Sequence, residues 1–429
     1  MKWSYYNYLF EGEGKYFIYN SLSNSFAKLD TVTYQKLNAL KEVFDIQSID
    51  EDLRQKLLEM KVLVEDDRDE LNKIKFITQR KRFYDKHLGL TINPTLHCNF
   101  ACPYCFEENH PNIYMSEQVE NDIIQYIKGH KSVKTLSVTW FGGEPLLAFE
   151  RIVSLTNKIK ELGLIYKAGM ITNGYLFNEQ IVSQLSSLCI KTIQITVDGN
   201  EQTHNSRRCL KSGKGTFKRI MDNIDLLQKK TPEIRIAVRV NIDETNKNDF
   251  IELYDFFKKK NYPNLKVSPA FVEDTSGCNV DDCIFNAERK RQFVLTMKID
   301  HGIDCTQFYP SSSRYECSVR NPNIVAIGPS GELYKCWNDI GKKECVVGYL
   351  NGKIENEKLL IRYLNAADPF EDEECRKCLL LPVCGGGCPY MRIKRDYENK
   401  EFELCSLLKH NLNEFLLIHY KNKMACLNK

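Results

Sequence analysis

Apolar and polar positions follow three different patterns along the chain. Over the first 80 or so residues, short apolar runs at 5–10, 15–19 and 26–29 predict strands, with a turn at Gly12 and Gly14 between the first two. Two amphipathic stretches, 31–44 and 49–60, predict helices. Asp50 suits the N-cap of the second, and Leu53, Leu57 and Leu58 fall on its apolar face. A short apolar wing at 62–64 then runs into acidic residues 65–70, and the charged stretch 70–86 reads as a solvated linker or connecting helix.

From about 88 to 272 the pattern becomes strand–helix alternation. Strands are expected at 89–93, 135–141, 168–172, 192–197, 235–241 and 265–269. Helices are expected between them at 116–129, 148–162, 178–188, 215–229 and 246–260. Strands separated by helices of this length imply a parallel α/β sheet or barrel, whose sites lie at the C-terminal strand ends. Cys98, Gly142, Asn173, Asp198 and Asn241 all fall at such ends. After 272 the periodicity weakens, Gly, Pro, Ser and Cys become common (277–283, 309–313, 385–389), and 405–424 reads as a closing helix.

Composition narrows the picture. With 42% hydrophobic residues in 429, the chain can build a packed core. Its 60 Lys+Arg against 57 Asp+Glu offer no electrostatic footing for nucleic acid or an anionic membrane surface. No apolar run approaches the ~18 residues of a membrane span, and the opening residues lack the apolar core of a signal peptide, so a cytoplasmic protein is expected. The 17 cysteines are unevenly spread: none in the first 97 residues, three at Cys98, Cys102 and Cys105, and eight from Cys317 to Cys405. An odd, clustered set in a large chain points to metal or iron–sulfur ligation rather than a disulfide framework.

The loop HCNFACPYCFEEN spaces its cysteines C-x3-C-x2-C. Three thiolates on one loop leave one iron of a four-iron cluster open to another molecule. The alternatives are buried thiols or a zinc site completed by His97 or His110. With these residues the chain resembles the radical S-adenosylmethionine (radical SAM) enzymes, in which an aromatic residue, here Tyr104, often precedes the third cysteine. The segment Phe141-Gly142-Gly143-Glu144-Pro145 matches the family's second motif, which binds the amino group of SAM. Thr172-Asn173-Gly174, Thr196-Val197-Asp198-Gly199, His204, Arg207 and Gly215-Thr216-Phe217 extend the match to the peptide- and protein-modifying branch. The resemblance implies a partial (β/α)6 barrel with the catalytic cluster on Cys98, Cys102 and Cys105. It also puts Tyr104, Gly142, Gly143, Glu144, Asn173, Thr196 and Arg207 around SAM, with Asp198, His204 and Asn241 as weaker candidates.

The later cysteines, Cys375-x2-Cys378-x5-Cys384-x3-Cys388-x16-Cys405 with Cys317 and Cys336 upstream, resemble the SPASM extension and its two auxiliary [4Fe-4S] clusters. The resemblance gives Cys375, Cys378, Cys384 and Cys405 to an outer cluster and Cys317, Cys336 and Cys388 to an inner one. Cys345 and Cys305 are both candidates for the inner cluster's missing ligand, and an open iron is the third alternative. Structural zinc is the competing reading of the CxxC pattern. Cys189, Cys209, Cys278, Cys283 and Cys426 read as ordinary thiols.

The expected organisation is therefore a leader-binding module at 1–80, similar in size and order to a RiPP recognition element, a radical SAM barrel at 81–300 and a SPASM domain at 301–429. Such an enzyme uses SAM and three [4Fe-4S] clusters, takes electrons from a donor such as flavodoxin or ferredoxin, and acts on a ribosomally made precursor peptide. Hydrogen abstraction by a 5′-deoxyadenosyl radical would lead to a cross-link, with a cysteine thioether favoured over a carbon–carbon or ether bond. The anaerobic sulfatase maturases, which make formylglycine, are a rival. They carry an aspartate directly after the cysteine matching Cys336, where this chain has Trp337 and an aspartate only at Asp339. A non-catalytic zinc scaffold is the rival from another class.

Overall fold

The computed structural model describes residues 1–67, 69–105, 107, 110–273, 284–310 and 316–427. The chain forms two compact units, one from Met1–Phe83, Thr306–Arg320 and Asn365–Lys429, the other from Tyr84–Cys305 and Asn321–Leu364.

The first unit holds β1 (Lys2–Trp3), β2 (Asn7–Gly12), β3 (Lys15–Asn20), β4 (Ser25–Leu29) and β5 (Leu63–Val64). Strands β2, β3 and β4 form an antiparallel sheet in that order, and β1 pairs with the wing strand β5. Asp50 caps the helix Glu51–Glu59 as expected, accepting from the Leu53 amide at 2.9 Å. The charged stretch after residue 69 is a helix, Glu70–Arg82, capped by Asp69. Leu9, Ile18 and Ala27 stand opposite one another across the three strands and face Leu37 and Leu40 of the helix Thr31–Glu42 and Leu57 of the helix Glu51–Glu59.

The other face of this sheet is also apolar. Phe10, Phe17 and Tyr19 point to it, where Leu380, Leu412 and Leu416 cover them and Tyr420 meets Phe17 edge-on at 5.1 Å. Arg82, 1% exposed in its side chain, forks onto Glu316 at 2.8 and 2.5 Å and reaches Asp368 at 2.8 Å. The compact units thus cut across the contiguous segments 1–80, 81–300 and 301–429. Central strand β3 is buried on both faces, so the N-terminal sheet needs a second cover, and residues from 365 onward supply it. The closing helix spans Leu412–Leu427, starting later than expected because residues 407–411, just after Cys405, form a turn.

In the second unit, β6 (His87–Ile92), β7 (Thr135–Trp140), β8 (Ile165–Thr172), β9 (Ile190–Thr196), β10 (Arg235–Ile242) and β11 (Leu265–Phe271) run parallel in sequence order. They bear out the (β/α)6 expectation. Strands β12 (Ile324–Ile327), β13 (Glu332–Tyr334) and β14 (Gly348–Tyr349) extend the same sheet beyond β6. The crossover helices Glu117–Gly129, Phe149–Lys160, Phe217–Lys230 and Asp249–Lys260 appear where the periodicity placed them. The one expected at 178–188 is helical only over Glu179–Val182, since the serine-rich continuation favours turns and Cys189 adopts φ +58°. Among the described residues no helix is long and apolar enough to cross a membrane.

Candidate active site

Strand β6 delivers the cysteine loop. Asn93 at its end bonds back to the Ile327 carbonyl through both backbone and side chain, at 3.0 and 2.9 Å. The loop is then clamped to the segment after the helix Glu201–Arg207. The Ala101 amide donates to the Cys209 carbonyl, and the Lys211 amide to the Asn99 carbonyl, both at 3.0 Å. Cys98 is buried; Cys102 and Cys105 are half-buried. Burial pushes the Cys98 and Cys105 thiols up to about 12 and raises Cys102, which the nearby Arg208 guanidinium partly offsets. Such thiols stay protonated as bare side chains and give up protons when iron binds, so ligation and local ordering are coupled.

The turn after β7 is locked against this loop. A Cβ on Gly142, whose φ is +120°, would lie 2.4 Å from the Thr95 carbonyl, and one on Gly143 would meet the carbonyls of Leu96 and His97 at 2.4 Å. The Gly143 and Glu144 amides donate to Thr95 and His97 at 3.2 and 2.9 Å. These glycines therefore permit close approach of the cysteine loop itself. Glu144 is wholly buried. Its carboxylate accepts from the Leu146 amide at 3.0 Å, the Thr172 hydroxyl at 2.7 Å and the Asn173 amide at 2.8 Å. Burial still raises its pKa, against those bonds. Asn173 reaches across to Asn99 of the cysteine loop at 2.8 Å, tying the end of β8 to the same turn.

The ends of β9 and β10 carry a polar network. Asp198, fully buried, accepts from the Tyr104 hydroxyl, from Arg207 at 3.4 Å and from the Asn241 amide at 3.1 Å. Arg207 also bonds Asp243 at 2.7 Å and lies 4.9 Å over the Tyr104 ring. Buried His204 takes the Asp198 amide on Nδ1 (3.2 Å) and meets the Thr216 hydroxyl through Nε2 (3.0 Å), while that hydroxyl donates to the Arg208 carbonyl at 2.6 Å. Thr196 is buried at the end of β9. The sequence reading missed Arg208, which donates to Tyr104 at 2.8 Å, stacks on Phe100 and sits beside Cys102. Only its adjacency to Arg207 marked it. Asn99 was missed too, although it stands inside the cysteine motif.

In the other unit, Cys375, Cys378, Cys384 and Cys405 line one cavity together with Arg392 and Lys409. Of the inner set, Cys317 and Cys388 belong to this unit and Cys336 to the sheet unit, as does Cys345. Buried Cys336 and Cys345 both raise the phenol of Tyr363, after its burial, so they share one neighbourhood. Cys305 instead sits beside Asp304 and Tyr254. Cys189, Cys209 and Cys426 are not disulfide-bonded, and Cys278 and Cys283 lie outside the described residues. Among the described residues no three His, Cys, Asp or Glu side chains converge as ligands of one ion would. The sulfurs of a four-iron cube each bind a different iron and stand farther apart.

Residues 92–257 match the family model of the radical SAM superfamily. The serine-type anaerobic sulfatase-maturating enzyme of Bacteroides thetaiotaomicron is 29% identical over 353 residues, covering 70% of this chain and 81% of that one. Among solved structures, native anSMEcpe with bound AdoMet superposes with a TM-score of 0.57 at 19% identity, covering 80% of this chain and 99% of its own. Streptococcus suis SuiB bound to the precursor peptide SuiA superposes at 0.53 and 16% identity, over 95% of this chain and 99% of its own.

Proposed function

From a chain that carries a radical SAM domain and is a radical SAM superfamily enzyme, we propose a peptide maturase that installs an intramolecular cross-link, a cysteine thioether first among the products. The observation that carries it is the extent of the match to SuiB, whose fold runs through the N-terminal sheet and the C-terminal cover as well as the barrel. That sheet leaves β4 at its edge, a place where an extended leader peptide can add a strand.

The domain's cofactors are SAM and a [4Fe-4S] cluster, which together supply one-electron cleavage of SAM and a carbon radical able to remove an unactivated hydrogen. Cys98, Cys102 and Cys105 would hold that cluster. Glu144 spends three of its roughly four acceptor positions on the chain, leaving one to orient an ammonium group. Asn173, Thr196, Tyr104 and Arg207 would wall the SAM site, with Asp198 and Arg208 fixing Tyr104. In the other unit, Cys375, Cys378, Cys384 and Cys405 would hold the outer auxiliary cluster. For the inner one, Cys345 is preferred over Cys305 as a ligand because of its place beside Cys336. A flavodoxin- or ferredoxin-class protein would donate the electron.

A formylglycine-forming activity is the second reading, favoured by the identity to the sulfatase maturase. Against it, Trp337 is half exposed where that enzyme class carries its aspartate, and Asp339 is buried, accepting from Tyr363 at 2.6 Å. Anaerobic reconstitution followed by iron, sulfide and 5′-deoxyadenosine assays tests the enzyme. Mass spectrometry of a cysteine-rich precursor co-expressed with it tests the product. The expected result is 5′-deoxyadenosine together with loss of two hydrogens per cross-link. Zinc without 5′-deoxyadenosine, or formylglycine on a sulfatase peptide with an untouched precursor, overturns the reading.

A further inference from the structure

Around the cavity lined by Cys375, Cys378, Cys384 and Cys405, the sulfurs are not left to neutral surroundings. Arg392, on the helix Pro389–Glu398 and 1% exposed in its side chain, donates through Nη2 to the Cys375 sulfur at 3.2 Å and to the Gly386 carbonyl at 2.7 Å. Its Nη1 is held at 2.7 Å by Asp372. Asp372 also caps the short helix Glu373–Arg376, accepting from the Cys375 amide at 3.0 Å, and takes Arg395 at 2.8 Å. One carboxylate thus fixes both the cysteine and the cation that serves it. Across the cavity Lys409 donates to the Cys405 sulfur at 3.2 Å, and its side chain is 36% exposed. The Leu380 amide points at the Cys378 sulfur at 3.4 Å.

Resting on the reading that these four cysteines hold an iron–sulfur cluster, we propose that Arg392 and Lys409 set its reduction potential, holding it more oxidising than the same ligands would without them. Adding one electron makes the cluster and its thiolates more negative. A cation bonded to a ligand sulfur stabilises the reduced form more than the oxidised one. Two charge-assisted donors on two of four ligands act in the same direction. They differ in their surroundings: Arg392 is sealed from salt, whereas Lys409 is reached by it. The outer cluster is thereby tuned to accept an electron readily, and Arg392 and Lys409 are positioning residues rather than ligands.

The test is a dithionite titration of the reconstituted full chain, followed by electron paramagnetic resonance, with iron counted in each variant. Lys409→Gln should move the outer-cluster midpoint to more negative potential, Lys409→Arg should restore it, and the Lys409→Gln shift should shrink as salt is added. Arg392→Gln should move it the same way with little salt dependence. If Arg392→Gln loses iron, the lysine variants alone decide. Unchanged midpoints in iron-replete Lys409→Gln overturn the proposal. The ligand assignment has a separate control, Cys375→Ala/Cys378→Ala. If that variant keeps all the iron of the unaltered chain, the cluster reading fails and the tuning with it.

Discussion

His204 shows how one buried side chain can hold a strand end together only in its neutral form. Its Nδ1 accepts the Asp198 amide, so Nε2 must carry the proton offered to Thr216. Burial accordingly lowers its pKa from 6.5 to about 3, with the Arg208 charge adding to the effect. A folded-state pKa below the unfolded value means that the unfolded chain takes the proton first. This contribution is full above pH 6.5 and is lost as pH falls toward 3. Urea unfolding should lose about 2 kcal/mol from this group between pH 6.5 and 5. His204→Asn should be less stable at pH 7 by about 1–3 kcal/mol, with the gap closing as pH falls. A gap that stays constant with pH would show that the imidazole is not the titrating group.

At the scale of elements, the turn after β7 and the loop after β6 form one construction. Gly142 can be tested against Gly163, since both have positive φ but only Gly142 faces a backbone oxygen at 2.4 Å; nothing lies within 4 Å of a Cβ on Gly163. Each alanine substitution carries a backbone penalty of about 1–3 kcal/mol. Gly142→Ala must also displace the cysteine loop, and should lose iron from the SAM-binding cluster on reconstitution. Gly163→Ala should retain it. Equal iron in both variants would detach the glycine from the cluster's geometry. The glycine pair and the cysteine spacing are plain in the sequence. Their contact is not, because more than 40 residues separate the Thr95–Cys98 loop from Gly142 and only the parallel pairing of β6 and β7 brings them together.

For the whole molecule, the lesson concerns what counts as a domain. Residues 1–83 include a sheet whose Phe10, Phe17 and Tyr19 face is covered by residues from beyond 365. Expressed alone, this segment should expose that face, bind a hydrophobic dye and unfold with poor cooperativity, whereas the full chain should do neither. A cooperative, dye-silent fragment would make it an independent module. The run Tyr16-Phe17-Ile18-Tyr19 already carries the sign, since an unbroken apolar run marks a strand buried on both faces. Which segment covers the second face cannot be read from it.

The sequence by itself determined the six parallel strands, most of their crossover helices and the spacing of the clustered cysteines. Those depend on period, caps and spacing, which act over a few residues. Only the tertiary structure decided that Arg208 serves Tyr104 and Cys102, that Glu144 is shut among three donors, and that Cys345 shares its surroundings with Cys336. The same holds for the short strands β12–β14 joining the sheet beyond β6. Such contacts are selected by packing and hydrogen-bond satisfaction in the folded state, which leave no local period behind.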